Sequence, residues 1–216
     1  MSKKRPPTPP KPTFRRKVIK PFRDASIILV ASEGEKTEKQ YFEFSFFRHR
    51  KVVIETIPSK DGKSAPNWVL ENLKDAVKKR SLSHKQQDHL WVVIDRDEWK
   101  PEDLLELKNQ RCGFLPINIA LSNPCFELWL LLHHTALPEK PLSCQNDALV
   151  NELRTILGEY NKSNLKEEHY IHGLDHAIAE AKKTTYESSG FPSNPGTDVY
   201  KLVELIQSLR PSKSKL

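Results

Sequence analysis

The chain has few glycines and cysteines, and each shortage excludes a class of protein. Its seven glycines form neither GxGxxG nor GxxxxGK[ST], which argues against a nicotinamide enzyme or a P-loop NTPase. The GxSxG elbow of a serine hydrolase is also missing from the sequence. The three cysteines, Cys112, Cys125 and Cys144, have no CxxC spacing. They therefore indicate neither a disulfide framework nor a zinc site, and free thiols are expected.

The sequence also has no long apolar segment. Its longest apolar runs are five residues long, whereas about 18–20 residues are needed to cross a bilayer. The first residues do not combine a basic start with an apolar stretch, so no secretory signal is predicted. We therefore expect a cytoplasmic protein with no membrane partner.

The net charge of +7 is concentrated at the two ends of the chain. Residues 1–23 carry nine basic side chains and no acid, together with six prolines. Residues 24–209 contain 23 basic and 28 acidic side chains, so this part is acidic overall. We predict a disordered or partner-bound arm over 1–23 and a basic tail over 211–216. The arm could contact phosphates, cover an acidic partner or simply keep the protein in solution.

Apolar strands alternate with helices over about 26–134. The predicted strands are 26–31, 51–57, 90–94 and 114–121. One predicted helix follows the first strand, and the others lie at 67–80, from about Pro101 and at 125–133. Strands that are apolar throughout and alternate with helices indicate an α/β fold with a parallel sheet covered on both faces. Residues 145–210 have helical patterns at 147–159, 170–187 and 197–209. We predict one domain over 24–210, in which a helical part of about 145–210 follows the sheet.

Acidic side chains follow two of the apolar strands. Glu33 ends the first strand, and Asp95 and Asp97 end the third. Functional residues of open α/β sheets gather at the carboxyl ends of the strands. Alternate residues of an extended chain point the same way, so Asp95 and Asp97 could direct two carboxylates at one Mg²⁺ ion. The simpler interpretation is that the pair forms a turn or caps a helix.

Other polar residues near these strand ends have two interpretations each. Glu38 could be a metal ligand or could interact with the dipole at the start of its helix. His133 and His134 end an apolar helix, where they could bind a metal. A protonated imidazole stabilised by the helix dipole is favoured instead.

Three longer strings resemble the RloB-like family of Toprim-domain proteins, which are related to the OLD nucleases. They are EGEKTEKQYF at 33–42, DRDEW at 95–99 and SNPCFELWLLLH at 122–133, and NPGTDVYKLV at 194–203 is similar to the last helix of that family. The resemblance covers roughly residues 24–210. It implies a Toprim-like parallel β-sheet flanked by helices.

The resemblance also implies a site and its cofactor. Glu33, Asp95 and Asp97 correspond to the Toprim acids, with Mg²⁺ or Mn²⁺ as the expected metal and Glu38 as a further candidate ligand. Glu127 and Lys162 are candidate catalytic residues. The expected substrate-binding residues are Ser122, Asn123, Arg96 and Lys36. The implied reaction is metal-assisted phosphodiester hydrolysis, with Glu33 or a water on the metal acting as base or nucleophile.

The implied protein is a nuclease effector of prokaryotic antiphage defence of the abortive-infection type, working beside an ABC-type ATPase. DNA and RNA, including tRNA, both remain open as substrates, and so does a homo-oligomeric state. An alternative of a different class is a non-catalytic subunit that docks on an ATPase and senses a ligand or nucleic acid. Topoisomerase-like strand joining would require a separate tyrosine-bearing domain, for which 216 residues leave little room.

Overall fold

The computed structural model describes residues 24–57, 59, 66–80, 82–96, 99–143 and 147–210, with only the backbone of residues 66 and 67. The predicted arm 1–23, the tail 211–216, Asp97 and Cys144 lie outside these residues. The strands of the described part are β1 (Ser26–Ser32), β2 (Val52–Ile57), β3 (His89–Asp95), β4 (Arg111–Cys112), β5 (Leu115–Asn123) and β6 (Gly196–Thr197). The helices are α1 (Thr37–Phe42), α2 (Pro66–Lys78), α3 (Pro101–Lys108), α4 (Phe126–Leu131), α5 (Ala148–Leu157), α6 (Leu174–Ala181) and α7 (Val199–Ser208).

The strands form a mixed, mostly parallel sheet in the order β2-β1-β3-β5-β4. The four longer strands, β1, β2, β3 and β5, pair in parallel, which confirms the predicted α/β class. Two strands of two residues each, β4 and β6, add antiparallel pairs to β5. They were not predicted, because a two-residue strand has no period of its own in the sequence.

Alternate residues of the central strands enter two separate apolar cores. On β1, Ile28 and Val30 pack with residues of α1 and α4–α7. Leu29 and Ala31 on the same strand pack with residues of α2 and α3. Side chains alternate between the two faces of a strand, so a strand covered on both sides must be apolar throughout. This is why the continuous apolar runs located the strands correctly.

The first helix is shorter than the aromatic spacing predicts. Helix α1 ends at Phe42, and a separate 3₁₀ turn follows at Ser45–Phe47. Phe42 and Phe44 are both buried against Tyr41. In one continuous helix they would point about 200° apart, at about 100° per residue, and could not share a core.

The C-terminal helices are also shorter than predicted. The segment predicted as helix over 170–187 contains a 3₁₀ turn at Ile171–Gly173, α6, and then an irregular stretch. Gly173 lies so close to the backbone carbonyl of His133 that a Cβ there would overlap it. None of the helices in the described ranges has the length and hydropathy needed to span a membrane.

The cysteines differ from the predicted set of free thiols. Cys112 is free, but Cys125 takes part in a disulfide. The prediction is therefore wrong for Cys125. The sequence does not show which cysteines a fold brings together, because disulfide connectivity depends on tertiary contacts.

Candidate functional site at the carboxyl edge of the sheet

The order of the strands creates a crevice between β1 and β3. The chain leaves β1 to form β2 on one side and then returns to form β3 on the other. Such a reversal is where open α/β sheets bind ligands, outside the carboxyl ends of the strands. Glu33 directly follows β1, and its backbone N–H donates to the Val93 carbonyl at 3.1 Å. Asp95 is the last residue of β3, so both predicted acids lie at this crevice.

Hydrogen bonds hold the Glu33 side chain in the crevice. Its Oε2 accepts from the backbone N–H of Asp95 and from the indole N–H of Trp99, each at 3.2 Å. Glu33 and Trp99 are both buried. The Trp99 ring therefore forms a wall of the site and orients the carboxylate, as a positioning residue would.

The Asp95 carboxylate joins β3 to helix α4. Its Oδ1 accepts from the backbone N–H of Phe126, the first residue of α4, at 2.9 Å. The next residue along the chain, Arg96, donates its backbone N–H to the Ser122 carbonyl at 2.9 Å. Asp95 thus receives a hydrogen bond of the kind that caps a helix, as the simpler interpretation expected. That bond uses one of its two carboxylate oxygens.

Glu127, on α4, is paired with Lys162 at the same edge. Lys162 Nζ lies 2.7 Å from Glu127 Oε1, and the buried Tyr160 hydroxyl donates to that oxygen at 3.4 Å. Burial lowers the pKa of Lys162, but the hydrogen bond and the charge of Glu127 outweigh it and raise the pKa. Burial, reinforced by the Glu127 charge, raises the pKa of Tyr160 far above its usual value. Lys162 is therefore a cation and Tyr160 a neutral donor.

Helix α1 holds the loop that delivers Lys162. The Thr37 hydroxyl and the Gln40 amide N–H donate to the Lys162 carbonyl at 3.1 and 3.0 Å. The Gln40 amide oxygen accepts from the Leu165 N–H at 2.9 Å. These bonds involve the backbone of the loop, so the Lys162 side chain is left to extend toward Glu127.

Glu38 is a buried carboxylate of the site, and its pKa is strongly raised. It is 4% exposed, and its Oε1 accepts from the Gly34 backbone N–H at 3.2 Å. Burial, together with repulsion from Glu127, raises the pKa of Glu38 to about 7 although Lys162 opposes the rise. Its Oε2 is buried and accepts no hydrogen bond from any described residue. A Cβ on Gly34 would overlap this carboxylate, so the close approach requires glycine.

The four predicted substrate-binding residues have different environments. Ser122 is completely buried and its hydroxyl bonds with that of Thr197 at 2.9 Å, while the Asn123 amide donates to the Pro192 carbonyl at 2.9 Å. The Arg96 guanidinium donates to the Trp99 carbonyl at 2.8 Å. Lys36 is exposed at the start of α1. Ser122 and Asn123 thus anchor the segment around β6, and substrate binding by all four stays a prediction.

The prediction of a protonated imidazole at the end of α4 is wrong. Burial lowers the pKa of His133 to about 3, so the ring is neutral. Its Nε2 is 3.0 Å from the Tyr41 hydroxyl, and its Nδ1 is 2.8 Å from the Tyr170 carbonyl. Burial also lowers the pKa of His134. Because both His133 nitrogens are engaged, this ring is a structural part of the aromatic core.

Sequence reasoning assigned no site role to Tyr160, Thr37 or Gln40, which help to hold the site together. Trp99, Tyr160, Thr37 and Gln40 each bond a predicted site residue. Tyr160 and Trp99 lie near Lys162 and Asp95 in the chain, which gave a weak signal. No sequence signal marks Gln40, because its partner is 122 positions away.

The donors at this edge have the chemistry that Mg²⁺ requires. Carboxylate oxygens are its usual protein ligands, and the buried Glu38 Oε2 without a hydrogen bond would gain from a cation. Glu33 and Asp95 are linked through the Asp95 N–H. Within the described ranges no three acidic, histidine or cysteine side chains stand close enough to hold an ion together. Asp97, the remaining predicted ligand, lies outside those ranges.

The fold and the site define an α/β protein with an acidic crevice at the point where the strand order reverses. The family model for RloB-like protein matches residues 28–206, so the chain belongs to the RloB-like family. Searches of curated proteins and of solved structures returned no match.

Proposed function

We propose that the protein is a Mg²⁺- or Mn²⁺-dependent endonuclease that hydrolyses phosphodiester bonds of DNA or RNA, with tRNA among the candidate substrates. The observation that carries the proposal is the meeting of Glu33 and Asp95 at the crevice between β1 and β3. Four further groups of suitable chemistry, Glu38, Glu127, Lys162 and Tyr160, adjoin one another beside the crevice. Carboxylates beside a lysine suit a reaction in which a phosphate gains negative charge.

In this proposal Glu33, Asp95 and Asp97 would hold the metal. When bound, the metal would neutralise charge on the scissile phosphate and on the leaving oxygen. The residues of the chain supply orientation: Trp99 fixes the Glu33 carboxylate, and the Phe126 N–H fixes Asp95. Glu33 would accept a proton from the attacking water.

In this proposal Lys162 would bind the scissile phosphate. Its ammonium group is half-exposed, while its partner Glu127 is buried. Lys162 is therefore the member of the pair that a substrate can reach from solvent. A lysine restrained in this way binds phosphate at a lower entropic cost than one that moves freely.

The biological setting of the proposal rests on the family. We propose that the protein is an effector of prokaryotic antiphage defence of the abortive-infection type, controlled by a partner ABC-type ATPase. Membership of the RloB-like family supports this part of the proposal. Control by a partner is physically reasonable, because an unrestrained nuclease would damage the host cell.

The test is cleavage by purified protein of supercoiled DNA and of total tRNA. Each substrate is incubated with Mg²⁺, Mn²⁺ or EDTA, with and without a candidate partner ABC-type ATPase. Glu33→Gln is the test variant, and Asp75→Asn, an exposed acid on α2, is the control. Metal-dependent cutting that Glu33→Gln loses and Asp75→Asn retains supports the proposal.

A folded protein that cuts neither substrate under any of these conditions contradicts the proposal. That result would favour the alternative, in which the protein docks on the ATPase and binds a ligand or nucleic acid without cleavage. Cutting that persists unchanged in EDTA would reject the metal.

A further inference from the structure

A second candidate site lies at the opposite end of the sheet. A cavity of about 780 Å³ is bounded by the end of α2, the turn before β3 and the β4–β5 hairpin. These segments adjoin the amino ends of β3 and β5. The seven residues of β3, at about 3.3 Å each, separate this cavity from Asp95 by roughly 20 Å. We call it the basic pocket.

The walls of the basic pocket carry basic side chains and no acidic one. Two of its cations have acidic partners outside the cavity: Arg80 pairs with Glu55, and Lys78 pairs with Asp75. The other cations are Lys74, Lys85 and Arg111. None of these three forms an ion pair with any residue that the structure describes. The pocket therefore has a positive charge that the described fold does not neutralise, although residues 24–209 are acidic overall.

An aromatic ring extends from the rim of this pocket into solvent. Phe114 is 88% exposed, the most exposed large apolar side chain among the described residues. Gly113 before it has a φ of +63°, which lets the hairpin turn sharply. The Phe114 carbonyl accepts from Arg111 Nη2 at 3.3 Å and from His84 Nε2 at 2.8 Å. The backbone of the turn is thus held from two sides, which fixes the point from which the Phe114 side chain extends.

We propose that the basic pocket binds a segment of single-stranded nucleic acid. A base would stack on Phe114, and the flanking phosphates would contact Lys74, Lys85 and Arg111. The choice of occupant rests on the proposed function, since a nuclease must hold a strand. An exposed aromatic ring beside unpaired cations is an arrangement that binds single strands without reading their sequence. An acidic peptide would use the cations equally well but would leave the ring unexplained.

The distance between the two sites determines what the pocket contributes. A strand that binds in the basic pocket is held at a point well outside the segment that is cut. The basic pocket would therefore raise the affinity for long strands, and would not alter the chemical step or the cleavage of fragments that are too short to span the two sites.

The experiment measures binding without cleavage. Fluorescence anisotropy of a labelled single-stranded oligonucleotide is recorded in EDTA over a range of salt concentrations, with the full chain. The variants are Phe114→Leu, which keeps an apolar side chain without the ring, Phe114→Trp, which restores a ring, and Lys74→Glu/Lys85→Glu. Lys140→Glu, an exposed lysine outside the pocket, is the control for a change of charge.

The proposal predicts that Phe114→Leu weakens binding about tenfold and that Phe114→Trp does not. Lys74→Glu/Lys85→Glu should weaken binding more than tenfold at low salt and make the negative slope of log affinity against log salt shallower by about 1.4. Lys140→Glu should have little effect. Photocrosslinking of a halogenated pyrimidine strand should map to the peptide that contains Phe114. These readouts require no catalytic activity, so a failed nuclease assay leaves them interpretable.

Two results would overturn the proposal. One is oligonucleotide binding that is absent in the wild type, or that is equal in the wild type and in all pocket variants. The other is that the pocket variants lose binding to a glutamate-rich peptide that the wild type binds, while their binding to the oligonucleotide is unchanged. That result would assign the pocket to an acidic protein partner.

Discussion

Glu38 provides a quantitative test of the site's electrostatics. Its carboxyl group is buried beside Glu127, and its pKa is about 7 in the folded protein against an ordinary value of 4.5. Each pH unit of difference corresponds to 1.36 kcal/mol, so the full difference is about 3 kcal/mol. Glu38→Gln removes the charge and keeps an oxygen that can accept from the Gly34 N–H.

The direction of the effect follows from where the proton is held. Between pH 4.5 and 7 the folded protein keeps the Glu38 proton while the unfolded chain releases it, so the stability due to this group falls as the pH rises. Above pH 7 the loss is complete. Relative to the wild type, Glu38→Gln should therefore be about 2–3 kcal/mol more stable at pH 8 than at pH 5.

Urea denaturation followed by tryptophan fluorescence at both pH values measures this difference. EDTA is added, because a bound cation would stabilise the ionised carboxylate. The stability difference between Glu38→Gln and the wild type is compared at the two pH values. Any free-energy cost of burying the amide that does not depend on pH cancels in this comparison. Glu35→Gln, which removes an exposed acid from the same turn, is the control. An equal effect of Glu38→Gln at pH 5 and pH 8 would refute the reasoning.

Three further predictions concern the surroundings of the site. Gly34→Ala should destabilise the protein by about 1–3 kcal/mol, because its Cβ overlaps the Glu38 carboxylate. In urea titrations this loss of stability should disappear in a Glu38→Ala background, and a loss that persists there would contradict the overlap. Lys162→Met should lower stability by about 1–2 kcal/mol, since Glu127 stays buried without its half-exposed cation. The same variant should reduce the cleavage rate, and an unchanged rate would show that Lys162 has no part in the mechanism. Relative to the wild type, His133→Phe should be about 1.6 kcal/mol more stable at pH 5 than at pH 6.5, because the unfolded wild-type chain takes up a proton that the folded ring, with a pKa of about 3, does not. A difference in stability between variant and wild type that is equal at the two pH values would contradict this assignment.

The sheet and the acids at its edge could be predicted because their signals are local. A strand buried on both faces must be apolar throughout, so the runs containing Ile28 and Val92 marked β1 and β3. The residues that follow such strands lie at the carboxyl edge whatever the order of the strands. The positions of Glu33 and Asp95 at one edge of the sheet therefore do not depend on knowledge of the order β2-β1-β3-β5.

The remaining features depend on contacts between distant parts of the chain. The end of α1 is set by the need to bury Phe42 and Phe44 in one core, which a helical spacing does not reveal. The neutral state of His133 depends on burial by Tyr41 and Tyr170, from elements far apart in the sequence. Lys162 was named only from the family resemblance, because its loop is attached through Gln40, over a hundred residues away.

The most direct test of the central claim is the cleavage rate of Asp95→Asn with Mg²⁺ and the substrate that the wild type cuts. Asparagine keeps an oxygen for the Phe126 N–H, so helix α4 stays capped while one negative charge is lost. Asp75→Asn makes the same change at an exposed position on α2. The account predicts that Asp95→Asn loses cleavage, remains folded by circular dichroism and contrasts with an active Asp75→Asn. A folded Asp95→Asn that cuts at the wild-type rate would contradict the account.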